Sequence, residues 1–218
     1  MPKEQSTSGL SGTTAGGMPL PCWSCHGPVA QLALFCHVCG AVQPPRALDP
    51  FARLTFEPRF DLDPAEIDRR YRGLQQRLHP DRFAGKSPRE RAIAESHAMS
   101  LNEAYEILKD PLQRGAALLE RAGHRSPIGE NRTIEDPALL MEAMEAREAL
   151  SAAADLAAVE RLARRARDED AACLAGLATA FAEGALAKAA SQLTRLKYWR
   201  KLAEEIRGRR AALAHGAG

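Results

Sequence analysis

The sequence predicts a mainly α protein: a helical hairpin followed by a three-helix bundle, with a small metal-binding segment near the N-terminus. Aromatic residues make up only 5% of the 218 residues, and Ala, Leu, Arg and Glu recur throughout. This composition favours helices over sheets. Asp-Pro and Ser-Pro pairs repeatedly precede helical patterns of apolar residues, and four of the five cysteines cluster near the N-terminus.

Composition and charge exclude several classes of protein. The net charge of +2 gives no sign of nucleic-acid binding. No apolar run approaches the roughly 18 residues that a membrane-spanning helix needs. Residues 1–20 are rich in Ser, Thr and Gly and contain nothing like a signal peptide. We therefore expect a disordered tail over 1–20, no membrane partner and a cytoplasmic location.

The clustered cysteines form two C-x-x-C pairs separated by ten residues: Cys22, Cys25, Cys36 and Cys39. Each pair places two thiolates on a tight turn, and a short ribbon over 21–45 brings both pairs to one tetrahedral ion. Four thiolates complete the coordination shell, so we expect one structural Zn²⁺ and treat His26 and His37 as bystanders. Glycines beside the pairs, such as Gly27, allow backbone N–H groups to turn towards the sulfurs.

Three alternatives for the cysteine cluster stay open at this stage. Another thiolate-bound metal, such as iron, suits the same ligands. A redox role for C-x-x-C lacks the βαβ pattern of a thioredoxin-like protein. A nucleic-acid module is disfavoured, because few basic residues lie nearby and the only aromatic residues are Trp23 and Phe35. The isolated Cys173 lies on an apolar helical stripe, and we predict a small core residue there.

Asp or Ser before Pro marks the start of most predicted helices, since the side chain caps free N–H groups and proline suits the first helical position. These caps are Asp49, Asp63, Ser87 and Asp136, with Glu66 and Glu90 at capping-box positions. The predicted helices cover 51–54, 65–78, 89–109, 137–151, 155–182 and 185–213. Pro44-Pro45 is a predicted linker and 123–133 a predicted connector, which divides the chain into segments 21–45, 46–125 and 126–214.

The segment 64–109 predicts an antiparallel helical hairpin. Apolar residues line one face of each helix: Ile67, Tyr71, Leu74 and Leu78 on the first, and Leu101, Ala104, Tyr105 and Leu108 on the second. Between the helices lies His79-Pro80-Asp81, where the proline ends the helix and the carboxylate is displayed on a loop. The first helix, which leads into this loop, carries four arginines: Arg69, Arg70, Arg72 and Arg77. We interpret this as a charged docking surface; a solvated face beside an ordinary turn is the alternative.

The helix over 137–150 carries more apolar surface than one packing contact requires. One stripe suffices to pack it against the bundle: Leu139, Ala143, Ala146 and Leu150. Leu140 and Met144 lie roughly 100–140° around the helix from that stripe, and Met141 near 200°. Glu145 and Glu148 border these three apolar side chains, and the arrangement suggests a binding site for a partner. The alternative is a helix buried on both faces. A similar stripe on the next helix predicts core residues: Leu156, Val159, Ala163, Ala166, Cys173, Leu177 and Phe181.

Residues 48–125 resemble a J-domain of the DnaJ superfamily, on the basis of a short first helix at Phe51, the Arg-rich second helix, His79-Pro80-Asp81 and the Asn102–Leu108 segment. The whole chain is similar to the HscB family of co-chaperones in iron–sulfur cluster assembly. That similarity rests on 79–83, 110–114, 118–119 and 140–148. The four cysteines resemble the metal-binding extension found in a subset of that family.

The resemblance implies a co-chaperone and not an enzyme. It implies stimulation of the ATPase of a DnaK/HscA-type chaperone and delivery of the scaffold IscU to it, which promotes cluster assembly and transfer. The implied chaperone-binding residues are His79, Pro80, Asp81, Arg69, Arg70, Arg72 and Arg77. The implied scaffold-binding residues are Leu140, Met141, Met144, Glu145, Glu148 and Tyr198. A general J-domain co-chaperone for unfolded clients is the alternative. The chaperone paralogue and self-association stay open.

Overall fold

A computed structural model describes residues 18–128 and 136–215 of the chain. The chain divides into two compact units, one formed by the chain up to Arg46 together with Pro80–His97, the other by Ala47–His79 and the chain from Ala98 onwards. Residues 1–17 of the expected tail, and 129–133 of the expected connector, lie outside the described residues. The three residues of that tail that are described end in a short strand beginning at Leu20.

The first unit contains a small two-stranded antiparallel sheet. Strands β1 (Leu20–Pro21) and β2 (Pro28–Val29) pair with Leu20 opposite Val29, and an isolated bridge joins Phe35 to Val42. The buried core of this region is small and consists of Cys22, Val29, Cys36 and Ala41, with Trp23 and Ala33 packed against it. The four-cysteine segment therefore has little apolar material to stabilise it.

The described part of the chain contains seven α-helices, most of which begin where the Asp-Pro or Ser-Pro pairs predict. They are α1 (Pro50–Arg53), α2 (Pro64–Leu78), α3 (Pro88–Lys109), α4 (Pro111–Arg121), α5 (Pro137–Ala152), α6 (Leu156–Ala182) and α7 (Leu186–His215). The carboxylates of Asp49, Asp63 and Asp136 each accept a bond from a first-turn N–H. Ser87 and Glu90 form the reciprocal capping box at α3.

Helix α4 was not among the helices predicted from the sequence. It begins with the same cap, since the Asp110 carboxylate accepts from the Leu112 N–H at 3.1 Å. Gly115 lies in the middle of this short helix and weakens its helical pattern. Its missing side chain has a packing reason, because a Cβ at Gly115 would lie 2.8 Å from Leu193 Cδ2 of α7. Helix α4 thus packs closely against α7 within the second unit.

Helices α5, α6 and α7 form the predicted bundle. Its core contains Leu139, Ala143, Ala146, Leu150, Ala153, Val159, Ala166, Tyr198, Trp199, Leu202 and Ile206. The predicted stripes are confirmed, and Cys173 is a buried core residue. Leu156 is the exception: it is 44% exposed, because it is the first residue of α6 and lies at the end of its stripe. In the described part of the chain no helix is long and apolar enough to cross a membrane.

Candidate functional site

The four cysteine sulfurs of the first unit converge on one point. Their Sγ atoms all lie within 4.8 Å of one another. Two of the separations are 3.7 Å, between Cys22 and Cys39 and between Cys25 and Cys36. A tetrahedron with Zn–S bonds of about 2.3 Å has an edge of about 3.8 Å, so the sulfurs stand at the spacing that a single tetrahedral ion requires. The predicted cluster is confirmed, and it fits one thiolate-bound metal ion.

Backbone N–H groups point at these sulfurs, as the C-x-x-C turns predict. The N–H groups of Ser24, Gly27 and Val38 each lie 3.4 Å from a cysteine Sγ two residues earlier. Gly40 has a φ of +74°, a conformation that favours glycine, and its N–H donates to the Cys36 carbonyl at 2.9 Å. The N–H groups that point at the sulfurs stabilise thiolate charge and fix the direction of each ligand.

Two of the four thiols, Cys22 and Cys25, have pKa values shifted in opposite directions. Burial raises the pKa of Cys22, but the Cys25 and Ser24 N–H groups and the Gln43 amide outweigh it and lower that pKa to about 6. The Gly27 N–H lowers the pKa of Cys25, yet the neighbouring sulfurs and burial raise it to about 12. One sulfur is thus ready to ionise while its neighbour resists a second negative charge. A metal ion bound between these two sulfurs would compensate the negative charge of both thiolates.

Two residues that the sequence analysis did not single out, Gln43 and His97, adjoin this cluster. The Gln43 side-chain amide donates to Cys22 Sγ at 3.4 Å and to the Ala41 carbonyl at 2.8 Å. The backbone carbonyl oxygen of Gln43 lies 2.8 Å from His97 Nε2 on α3. The two residues are 54 positions apart, so no local pattern in the sequence predicts that they meet.

The predicted pairing of α2 with the C-terminal half of α3 is confirmed within the second unit. The rings of Tyr71 and Tyr105 stack with centroids 4.3 Å apart, and the Tyr71 hydroxyl donates to Asn102 at 2.8 Å. Asp68 accepts from the Tyr105 hydroxyl at 3.0 Å and pairs with Lys109. These two bonds hold the pKa of Asp68 below its usual value of 3.8.

The arginines of α2 have two different environments. Arg69, Arg72 and Arg77 are exposed. The guanidinium of Arg70 pairs with Glu66, donates to the Thr55 carbonyl and lies 4.0 Å from the centroid of the Phe56 ring. Arg70 therefore fastens α2 to the chain after α1, whereas the other three present charge to solvent.

The His79-Pro80-Asp81 segment follows α2 directly. The helix ends at His79, as Pro80 predicts, and Pro80–Phe83 forms a single 3-10 turn. Phe83 is buried and anchors this turn in the first unit. His79 and Asp81 are both exposed. The predicted display of the Asp81 carboxylate is consistent with this geometry, although it lies on a 3-10 turn and not on an irregular loop.

Helix α5 presents the surplus apolar face that its sequence predicts. Its packing stripe is buried, while Leu140 is 40% exposed and Met141 and Met144 are each 64% exposed. Glu145 and Glu148 are exposed beside them. The alternative, a helix buried on both faces, is wrong for the chain described here. We call these five residues the α5 face.

Tyr198 lies beneath α5 and not at its surface. It is 7% exposed, and its hydroxyl donates to the Ala143 carbonyl at 2.8 Å. Arg195, one turn earlier on α7, bridges Glu142 of α5 and Glu169 of α6 at 2.6 and 2.7 Å. Tyr198 and Arg195 thus hold α5 against α6 and α7, which leaves the α5 face exposed.

Comparison with known proteins matches two segments of the chain to known domain families. Residues 49–116 match the DnaJ domain, and residues 135–207 match the HSCB C-terminal oligomerisation domain. The chain is 33% identical over 202 residues to the iron-sulfur cluster co-chaperone protein HscB of Mus musculus, covering 90% of this chain and 86% of that protein. It is 40% identical over 152 residues to the co-chaperone protein HscB homolog of Burkholderia multivorans, covering 68% and 86%.

The fold agrees with these sequence matches. The crystal structure of human co-chaperone protein HscB superimposes with a TM-score of 0.79 at 30% identity, covering 85% of this chain and 96% of that one. Together, the two domain matches, the curated relatives and the fold show that this chain belongs to the HscB family of J-domain co-chaperones.

Proposed function

We propose that this protein stimulates the ATPase of a DnaK/HscA-type chaperone and delivers an IscU-type iron–sulfur scaffold to it, which promotes cluster assembly and transfer. The α5 face carries this proposal, because the His79-Pro80-Asp81 segment alone suits any J-domain protein. A compact apolar patch bordered by two carboxylates suits one folded partner better than a range of unfolded chains. The protein itself is not an enzyme in this account, since the chaperone hydrolyses the ATP.

The chaperone arm of the proposal uses the exposed charges at the end of α2. Asp81 pairs with an arginine of the chaperone, His79 shapes the turn, and Pro80 limits the entropy lost on docking. Arg69, Arg72 and Arg77 attract an acidic chaperone surface and speed the encounter. Arg70 contributes by fixing the position of α2, since its guanidinium is occupied by Glu66 and Thr55.

The scaffold arm uses the α5 face. Leu140, Met141 and Met144 form the apolar centre, and methionine packs adaptably against a partner. Glu145 and Glu148 form a polar rim that selects a partner with basic residues at its edge. Tyr198 acts from below by holding the α5 backbone at Ala143.

The four-cysteine site holds one Zn²⁺ in this proposal, bound by Cys22, Cys25, Cys36 and Cys39. With four thiolate ligands the shell is closed, so the ion is structural. We assign the protein to the cytoplasm, where thiols stay reduced. Functionally, 21–45 is the metal segment, 46–125 the J-domain and 126–214 the scaffold-binding bundle, in line with the matched ranges 49–116 and 135–207.

A binding titration of an IscU-type scaffold tests the proposal. The triple variant Leu140→Ala, Met141→Ala, Met144→Ala should lose on the order of a hundredfold or more in affinity, since apolar side chains at an interface centre together contribute a few kcal/mol. Met99→Ala is the matched control, because Met99 is an exposed methionine on α3. Calorimetric unfolding should show little change in either variant, since surface substitutions typically shift stability by only about 0.5 kcal/mol each.

Unchanged scaffold affinity in the folded triple variant would exclude the α5 face as the binding site. The general co-chaperone alternative gains support if, in addition, wild-type protein binds denatured chains and no scaffold. In that case the proposed stimulation of the chaperone would be kept, and unfolded chains would replace the scaffold as the proposed cargo.

A further inference from the structure

We propose that Gln43 and His97 are positioning residues of the four-cysteine site, and that they couple metal binding to the N-terminal half of α3 and to the turn that carries Asp81. This inference rests on the proposed metal site and goes beyond it. All of the residues concerned lie in the first compact unit, which joins the chain up to Arg46 with Pro80–His97.

The first link runs from Cys22 through Gln43 to His97. Gln43 and His97 are 4% and 3% exposed, so their hydrogen bonds are shielded from water. The Gln43 side-chain N–H₂ group makes its two bonds to Cys22 Sγ and to the Ala41 carbonyl. These bonds fix the orientation of the amide. A carbonyl oxygen only accepts, so His97 Nε2 carries the hydrogen and donates to the backbone carbonyl of Gln43. A movement of α3 at His97 is thus transmitted to the residue that orients one metal ligand.

The second link runs through Trp23, the neighbour of Cys22. The indole N–H donates to the Val42 carbonyl at 2.7 Å, and the guanidinium of Arg89 lies 4.4 Å from the centroid of the ring. Arg89 is in the first turn of α3, and His97 lies eight residues further on. The two links therefore span about 12 Å of the helix, roughly two turns. The metal segment holds this half of α3 at both of its ends.

Thermodynamic linkage makes the coupling between metal binding and α3 act in both directions. The metal segment buries only five apolar residues, two of which are cysteines, so we expect its folding to depend on the ion. An ion that binds only the folded segment also stabilises whatever is packed with that segment. The turn Pro80–Phe83 and the first half of α3 belong to the same unit. Metal loading therefore favours an ordered arrangement of the segment that displays Asp81.

Hydrogen–deuterium exchange of the full-length protein tests the coupling without a chaperone assay. Wild-type protein is compared with one bound Zn²⁺ and after removal of the ion by a chelator. We expect residues 80–97 to exchange about tenfold faster after chelation, while the bundle over 137–215 is unchanged and provides the internal reference. In His97→Leu this chelator-dependent change should be reduced, because the link to Gln43 is missing in both states while the contact between Trp23 and Arg89 remains.

Metal affinity and spectroscopy test the positioning role. Gln43→Ala and His97→Leu should each weaken Zn²⁺ binding about tenfold in a competition titration, the lower end of the range for residues that support metal ligands. Gln31→Ala is the matched control, since Gln31 is an exposed glutamine of the same segment. In Co²⁺-loaded protein, Gln43→Ala should shift the sulfur-to-metal charge-transfer band, because Cys22 loses a donor. His97→Gln retains a side-chain N–H and should restore affinity if His97→Leu folds poorly.

The outcomes separate the two proposals. If wild-type protein binds no metal, the proposed metal site fails and the coupling fails with it. If wild-type protein binds one ion, but exchange over 80–97 is the same with and without it, the coupling alone is overturned. Unchanged affinity and an unchanged Co²⁺ spectrum in Gln43→Ala would overturn the positioning role.

Discussion

The helical bundle and the four-cysteine segment are stabilised in different ways. The bundle core joins eleven buried residues of α5 and its C-cap, α6 and α7, and Trp199 is the largest of them. The core of the cysteine segment contains four residues, and two of them are metal-ligand candidates. Burial of apolar area suffices for the first region. The second has too small a core for this, and we expect a bound ion to stabilise it.

The polar contacts of the bundle and of the cysteine segment also differ. In the bundle, charged side chains join helices that apolar packing already holds, as when Arg200 of α7 bridges Asp110 and Asp170 at 2.6 and 2.9 Å. In the cysteine segment, the polar contacts point at the sulfurs themselves. We therefore expect chelators to destabilise only the unit that contains the cysteines, and truncation of the bundle core to destabilise only the other unit.

Removal of the metal should have the largest effect. Structural zinc sites contribute about 10–16 kcal/mol of apparent binding energy in small domains, so chelation should unfold residues 20–45 while the bundle stays folded. The chain has two tryptophans, Trp23 in the cysteine segment and Trp199 in the bundle. In Trp199→Phe, emission from Trp23 should change on chelation; in Trp23→Phe, emission from Trp199 should not. A metal content near zero in protein made with ample Zn²⁺ would refute the site.

Truncation of the bundle core should have the next largest effect. Leu202 is fully buried, and Leu202→Ala should lower the free energy of unfolding by about 2–5 kcal/mol, since it leaves a cavity. Leu156→Ala, at the exposed end of α6, is the matched control and should cost little. Urea denaturation followed by circular dichroism measures both. The comparison between the regions would break if Leu202→Ala also removed the metal.

A fall in pH should lower the stability of the helical hairpin by less than truncation of the bundle core does, through protonation of Asp68. Hydrogen bonds from Lys109 and Tyr105 hold the pKa of Asp68 below 3.8 in the folded protein. A depressed carboxyl pKa contributes stability that is present above the unfolded pKa and is lost as pH falls through the folded pKa. An NMR titration of the Asp68 carboxyl carbon should give a midpoint below 3.8 and should move towards 3.8 in Lys109→Ala. An unshifted midpoint in wild-type protein would contradict the contact.

Much of the fold was predictable because its signals are local. An aspartate or serine before proline marks the starts of α1, α2, α3 and α5, since caps and first-turn prolines act within three residues. The α5 face follows from the angular spacing of residues on one helix. The cysteine cluster follows from two C-x-x-C pairs, whose turns orient their own sulfurs.

The rest depends on contacts between distant parts of the chain. Helix α4 was missed because Gly115 interrupts its pattern, and only the approach of Leu193 explains that glycine. The buried position of Tyr198 depends on the packing of α7 under α5. Gln43 and His97 meet across 54 residues. Tertiary packing decides such contacts, and no periodicity encodes them.

A single-turnover ATPase assay tests whether this protein stimulates a chaperone through the His79-Pro80-Asp81 turn. It uses a DnaK/HscA-type chaperone with wild-type protein, with His79→Gln, with Asp81→Asn, and with Asp168→Asn as an exposed aspartate control on α6. We expect wild-type protein and the control to stimulate hydrolysis, and both turn variants to lose stimulation with unchanged helicity, because His79 and Asp81 are exposed and not part of the core. Normal stimulation by both turn variants would contradict the co-chaperone function proposed for this protein.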